Sequence, residues 1–576
     1  MNCSKLFLFL VPVLFLLNLE NILGQHISID EDYSDWEAIP SYSNEGPGDA
    51  GTGDIDFIDF KITNDDRFIY LYLEVGSEIL LQQNHNITLL IDTDDDPATG
   101  QAYSGIGYEL SYNMGQRKGE VNLSSQTSIN SYDIGLVSAP TVTSTRFEIK
   151  INRDAEINGV ALFSSESISL LFRSQSSGGD IVPDSPSAHS YTFIENTYEA
   201  ESYSMDKHDS DDLRFMSYNV LQDNLFEPNV KQNYDRIFKA IQPDIIGFQE
   251  IYNHSGQEAA ELIREFLDGE WFHGDVDNDN LIVSRYPIIN ETAVMGNAAY
   301  LLDIGQSQVF VIVAHPPCCT NDEGRQEEID AFMAFLRDSK SGGGFDLEDQ
   351  TPIVIMGDMN LVGLNRQVKT LLEGDIEDEA TYGADFIPDW DGTPLEDAKP
   401  SNPGLPTTFT WYSENSAFSA GRLDYIVYSN SVFELGNHFS LHTKTFPQDM
   451  LDLFSLERDD TFNASDHLPL VADFRRPQTT SFHTGPDIPN QAELNQNFPN
   501  PFNPSTEISY ALSNPEFVSL EVFDISGRKV ATLVNGIKTE GRHAARWNAN
   551  SAASGIYLYR LKTSEQLLTR QMVLIK

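Results

Sequence analysis

The chain has 576 residues, 40% of them hydrophobic and 11% aromatic, a composition that supports two to four folded domains and excludes wholesale disorder. Acidic side chains number 88 against 36 basic ones, a formal charge of −52, which excludes a surface that draws a nucleic-acid backbone at long range. Such charge fits solubility in a salty medium, with bound divalent cations as a second outlet, and three cysteines make no disulfide framework.

In chain order, Lys5 and the apolar run 6–19, followed by Gly24, read as a secretory signal peptide over residues 1–24. The apolar run is shorter than the ~20 residues a spanning helix needs. Residues 27–195 carry strand-like segments at 58–62, 68–74 and 87–91 among Gly, Asn and Asp clusters, as in a β-sandwich accessory domain. Residues 196–211, polar and acidic, read as a linker.

From 212 to 475, short apolar runs alternate with amphipathic patterns. Strands are expected at 215–218, 245–248, 281–284, 309–314, 353–356, 424–428 and 468–471, and helices at 233–241, 257–266 and 325–337. A second linker, 476–493, precedes a β-rich unit over 494–576. Charge separates the units: 46 acids and 16 bases over 212–475, but 6 acids and 9 bases over 494–576.

Polar residues stand at the ends of the apolar runs of the central segment. They are Asn219 in Ser-Tyr-Asn-Val, Glu250 in Phe-Gln-Glu, His315 in Val-Ala-His-Pro, Asp358 and Asn360 in Gly-Asp-Met-Asn, Asp424 in Arg-Leu-Asp-Tyr-Ile, and Asp466 and His467 in Ser-Asp-His-Leu-Pro. Strand ends gather distant residues onto one rigid rim. Carboxylates and amides suit a hard cation such as Mg²⁺, and histidines move protons near neutral pH. Singly, each motif reads equally well as a turn or a cap.

Taken in this order, the motifs resemble the endonuclease/exonuclease/phosphatase superfamily across residues 213–475. The resemblance implies an α/β four-layer sandwich, two mixed sheets flanked by helices, between an N-terminal and a C-terminal all-β sandwich. It implies a secreted, metal-dependent phosphoric ester hydrolase, using Mg²⁺ or Mn²⁺, that cleaves phosphodiesters by in-line attack of water. Glu250, with Asn219 beside it and Asp466 completing the site, would hold the metal. Asp424 would orient His467, the proton handler, while Asp358 orients the nucleophile or binds a second metal, Asn360 holds a phosphoryl oxygen and His315 meets the phosphate or the leaving oxygen. Arg285 and Arg325 are candidates for binding substrate phosphate, with surface ion pairing an equal reading.

The substrate stays open at this point: a small diester, a phospholipid head group or extracellular DNA. A phosphomonoesterase or a sphingomyelinase/phospholipase C-like hydrolase is the alternative, and a catalytically dead surface-binding protein is the reading from another class. Adjacent Cys318 and Cys319 leave both a vicinal bridge and two free thiols open.

In the accessory domain, the Asp-Trp pair at 35–36 and the run 91–100 resemble the family 9 carbohydrate-binding-like sandwich. Asp92, Asp94 and Asp96 alternate oxygen ligands in a way suited to Ca²⁺, with an acidic turn as the plain alternative. At the other end, Asn-Phe-Pro-Asn-Pro-Phe-Asn-Pro (497–504) and the strands after it resemble the type A sorting domain of the type IX secretion system. That implies secretion machinery as partner and a secreted or cell-surface location.

Overall fold

The computed structural model describes residues 26–575 except 49, 52–53, 176–178, 185–189, 199–203, 306, 476–491, 498–499, 540, 550–551 and 565. The expected signal peptide and nearly all of the second linker lie outside the described residues.

The first unit is a β-sandwich. One sheet orders Ser43–Asn44, Phe57–Asn64, Phe68–Ile79, Ser144–Asn152 and Val137–Ala139, and the facing sheet is built around Ser167–Arg173, Thr88–Asp92 and Leu110–Asn113. Alternating inward side chains, among them Phe60, Leu71, Leu89, Phe147 and Leu170, form its core.

The central unit has two six-stranded sheets. The first runs Phe272–Gly274, Leu281–Ser284, Ile245–Gln249, Leu213–Asn219, Leu470–Arg475, Glu434–Ser440. The second runs Ile288–Val294, Asn297–Asp303, Gln308–Ala314, Ile353–Asp358, Asp424–Tyr428, Glu396–Asp397. Each is mixed: Leu213–Asn219 pairs in parallel with Ile245–Gln249, and Gln308–Ala314 with Ile353–Asp358, while their other neighbours are antiparallel. Phe215, Ile245, Val313, Met356, Ile426 and Ala472 fill the space between the sheets. The helices Lys231–Ile241 and Gly256–Phe266 cover the first sheet, and Asp322–Lys340 and Asn365–Glu373 the second. Four layers result, and strands buried on both faces read as unbroken apolar runs. The sheets approach closely enough that a Cβ on Gly247 would stand 2.7 Å from the Met356 methyl.

Two boundaries differ from the sequence pattern for local reasons. The helix expected from 325 starts at Asp322, because the Asn321 side chain accepts the Gly324 N–H and caps it. The strand expected from 468 starts at Leu470, because His467 and Leu468 bond instead to the loop at Thr410 and Trp411. The acidic stretch expected as a linker packs down where it is described. Met205 is buried against the first sheet's helices, and its carbonyl accepts a hydrogen bond from buried Arg214.

The third unit stacks a three-stranded sheet (Glu493–Leu494, Ser505–Leu512, Gly541–Asn548) on a four-stranded one (Lys529–Lys538, Glu516–Asp524, Gly555–Lys562, Leu567–Leu574). Ile508, Leu520, Trp547 and Tyr559 are in its core. Among the described residues, no helix is long and apolar enough to cross a membrane.

Candidate active site

The sheet registers bring the strand-end residues to one rim. Asp358 and Asp424 are direct partners across the second sheet, and Asn219 ends the strand at the centre of the first. A Cβ on Gly357, whose φ is +153°, would fall 1.9 Å from the Ala314 carbonyl oxygen, so only glycine lets Asp358 sit beside the strand leading to His315. Glu250 and Asn360 adopt left-handed backbone, φ +64° and +49°, turning the chain sharply at the point where each side chain is delivered.

Asn219 ties the two sheets together at the rim. Its amide nitrogen donates to Glu250 Oε1 at 2.9 Å and to Asp358 Oδ2 at 3.0 Å. Glu250, Asp358 and His315 each offer a ligand atom, all within 4.8 Å of one another, and Asp358, Asp424 and His467 form a second such group. His315 Nδ1 lies 2.8 Å from Asp279 Oδ2, with its Nε2 3.5 Å from Asp358 Oδ2. His467 Nδ1 lies 2.8 Å from Asp424 Oδ2, with its Nε2 also 3.5 Å from Asp358 Oδ2.

Burial works against a charge on either ring, and the surrounding carboxylates outweigh it. The hydrogen bond to Asp279 and the charges of Asp358, Asp279 and Glu250 push His315 up to about 9. Asp424 and Asp358 push His467 up to about 10. Asp424 itself is raised to about 6, chiefly by burial. Carboxylate oxygens grouped this closely suit a divalent cation, which would relieve the concentrated negative charge. The residues present therefore fit a divalent metal.

Asn360 is held by its own turn, its backbone N–H donating to Asp358 Oδ1 and its amide nitrogen to the Pro316 carbonyl. Asp466 stands apart from both ligand groups and accepts the Trp411 indole N–H at 3.1 Å. Arg285 lies away from the rim, stacked 4.4 Å over Trp271 and bonded to the Asp268 carbonyl. Arg325 is fully buried, holding Asp322 and the Cys319 carbonyl. Cys318 and Cys319 are joined as a vicinal disulfide beside the site.

Two further residues complete the geometry. Asp279 receives both His315 and the Glu250 backbone N–H; an acidic run before the strand Leu281–Ser284 is its signal in the sequence. Thr410 donates to Asp424 Oδ2 while its own oxygen accepts the N–H groups of Leu423 and Asp424. Nothing around Thr410 in the sequence marks it.

Around the 91–100 run of the accessory sandwich the carboxylates that meet are Asp92, Asp94 and Glu109, and Glu45, Asp180 and Asp184 meet elsewhere in the same unit. Asp96 turns away to accept the Ala98 N–H. Burial, with Glu109 and Asp94 nearby, raises Asp92 to about 6.

Two mixed sheets between helix layers, with acids, amides and imidazoles on one rim, define the class of the central unit. Residues 216–467 match the model of the Endonuclease/Exonuclease/phosphatase family. Residues 496–576 match the Secretion system C-terminal sorting domain.

Solved structures similar to the chain include the human Nocturnin catalytic domain with bound sulfate (18% identity, 48% of this chain and 97% of that one, TM-score 0.31). Others are D. rerio TDP2 with single-strand DNA product (13%, 46% and 100%, 0.30) and sphingomyelinase C from Streptomyces griseocarneus (14%, 46% and 99%, 0.28). A comparison with curated proteins returned no match.

Proposed function

We propose that the protein is an exported, divalent-metal-dependent phosphoesterase that hydrolyses phosphodiester bonds by in-line attack of water. The observation that supports this most is the Asp424–His467 hydrogen bond at 2.8 Å, on the same rim as Glu250 and with His467 Nε2 turned toward Asp358.

A Mg²⁺ or Mn²⁺ ion held by Glu250 and Asp358, with Asn219 and His315 at its side, would supply positive charge against the phosphoryl oxygens. Asp424 holds His467 in one orientation, leaving Nε2 as the atom that exchanges a proton with the attacking water. Asp358, 3.5 Å from that nitrogen, orients the water. His315, fixed through Nδ1 by Asp279, keeps Nε2 for a phosphoryl or leaving oxygen. Asn360 holds a second phosphoryl oxygen from its rigid turn. Asp466, bonded to Trp411, steadies the cleft wall rather than the metal.

The sorting domain supports export by a type IX secretion system, with a leader at residues 1–24 acting first. Unchanged secretion after deletion of residues 494–576 would rule that route out.

The test of the activity is a hydrolysis panel of double- and single-stranded DNA, bis-p-nitrophenyl phosphate, p-nitrophenyl phosphate and sphingomyelin. Each substrate is run with Mg²⁺, Mn²⁺ or Ca²⁺ and again with EDTA. Metal-dependent cleavage that disappears in His467→Ala is expected, and the preferred substrate separates a diesterase from a monoesterase or a sphingomyelinase. Silence on every substrate from a folded, metal-binding protein overturns the reading in favour of a binding protein.

A further inference from the structure

The cleft above the rim, about 750 Å³, has walls from two domains. One wall is the catalytic domain's own. The other comes from the N-terminal sandwich, which places Leu80, Gln82, Pro140 and Thr141 across from His467 and Asp358. These segments are fastened to the catalytic domain. The Thr141 hydroxyl donates to the Leu361 carbonyl at 2.6 Å, and the Thr143 N–H to the Gly363 carbonyl at 2.8 Å. Between them Val142 is buried in the core under the second sheet's helices. Gln82 pairs with Ser419 in both directions, its amide nitrogen donating to the hydroxyl at 2.8 Å and its amide oxygen accepting the N–H at 3.1 Å.

Behind this contact, Arg422 bonds Glu31 of the sandwich and Asp397 of the catalytic domain. Ile29, Trp36, Phe409 and Leu468 close a shared apolar cluster directly beside His467. The sandwich is thus docked as part of the site.

The chemistry of the composite cleft is one-sided. Among the described residues lining it there is no lysine or arginine; its only basic side chains are His315 and His467, on the rim. Away from the rim Leu80, Pro140, Val362 and Phe418 line it together with uncharged polar side chains such as Gln83, Thr320 and Ser416. Phe418, 37% exposed, stands as a flat wall, and the guanidinium of Arg117 from the sandwich stacks on it at 4.1 Å. Polyanions are recognised through rows of basic side chains, which this cleft lacks, whereas an apolar pocket with few polar groups takes a compact ligand.

We propose that the N-terminal sandwich is the specificity wall of the enzyme, selecting small phosphodiesters with a neutral apolar substituent against extended nucleic acid. The inference rests on the phosphoester reading of the rim and adds the class of substituent. Leu80 of the sandwich and Phe418 of the catalytic domain carry the selection from the two sides of the cleft, and Gln82, through Ser419, positions the sandwich wall.

The test is isothermal titration of the full chain in Mg²⁺ with diphenyl, dibutyl and dimethyl phosphate and with a duplex oligonucleotide. Diphenyl or dibutyl phosphate is expected to bind on the order of tenfold tighter than dimethyl phosphate, since one well-buried methylene is worth at least that much. The aryl and alkyl arms tell ring stacking on Phe418 from aliphatic burial against Leu80. Leu80→Ser and Phe418→Ala, both at partly exposed positions, are each expected to reduce the preference with Tm retained. Equal affinity for all three diesters, a preference untouched in both variants, or tighter binding of the duplex overturns the wall alone. Failure of every phosphate to bind overturns the rim as a phosphate site and the wall with it.

Discussion

Asp424 and His467 meet through a shared oxygen: Oδ2 of Asp424 accepts the His467 ring at 2.8 Å and the Thr410 hydroxyl at 2.7 Å. Both side chains are buried, and the backbone N–H of Asp424 donates back to the Thr410 oxygen. The imidazole is therefore held by a carboxylate that is itself held, and neither can turn without losing a buried hydrogen bond.

Asp424→Asn keeps the shape of this arrangement and removes its charge. General acid–base catalysis contributes on the order of 100- to 10,000-fold, and a loss of kcat in that range is expected with KM and Tm little changed. Steady-state kinetics on the best substrate of the panel check it; a wild-type kcat would remove His467 from the proton-transfer role.

Asp279 acts on the metal group from behind, through His315 and the backbone of Glu250. Outer partners of this kind are worth roughly 10- to 100-fold in metal affinity. Asp279→Asn is expected to weaken Mn²⁺ binding by that factor, and Glu250→Gln by more. Titration of Mn²⁺ followed by its paramagnetic resonance signal measures both, and an unchanged affinity in Glu250→Gln would relocate the metal.

Arg422 is buried between Glu31 and Asp397, bonded at 2.8 and 2.5 Å. Removing one member of a buried ion group strands the others, at a cost of about 3–5 kcal/mol. Arg422→Ala is expected to lower the unfolding midpoint accordingly in urea. The triple change Arg422→Met, Glu31→Gln, Asp397→Asn should recover most of the loss, because no charge is left buried alone. A mild effect of the single change would mean that the sandwich is not locked in place by this residue.

The rim was legible in the sequence because strands covered on both faces are apolar throughout, so Asn219, Glu250, Asp358 and Asp424 stand out where those runs stop. The four layers were implied by the resemblance these motifs carry, while the alternation of apolar runs and helical patterns marked only the separate strands and helices. Asp279 and Thr410 were not legible, since they act from irregular backbone whose course only the folded chain determines. Arginine carries no sign of direction either: Arg285 stacks on Trp271 and Arg325 braces the Cys319 carbonyl, and neither use differs in sequence from a phosphate contact. The docking of the sandwich was hidden for a related reason. Ile29 and Val142 are apolar residues in irregular backbone, without a period to mark them as core.

His442 is 3% exposed, packed between the rings of Phe409 and Tyr412, and neither ring nitrogen has a hydrogen-bond partner among the described residues. Burial, with Lys444 nearby, pushes it down to about 3 from an ordinary value of 6.5. The folded protein keeps this ring neutral while the unfolded chain takes up a proton below pH 6.5. Its contribution is therefore full above pH 6.5 and is lost progressively as pH falls toward 3. One pH unit is worth about 1.4 kcal/mol, so the loss from this group reaches about 2 kcal/mol at pH 5. His442→Phe removes the titration while keeping an aromatic ring in the site. Urea unfolding at pH 7.5 and pH 5 is expected to show the variant gaining about 2 kcal/mol on the wild type at the lower pH. Comparing the two proteins cancels the opposite trend of raised carboxyls such as Glu328, which burial lifts to about 7 and which favour the folded state as pH falls. Parallel pH profiles would show that His442 stays solvated in the folded protein.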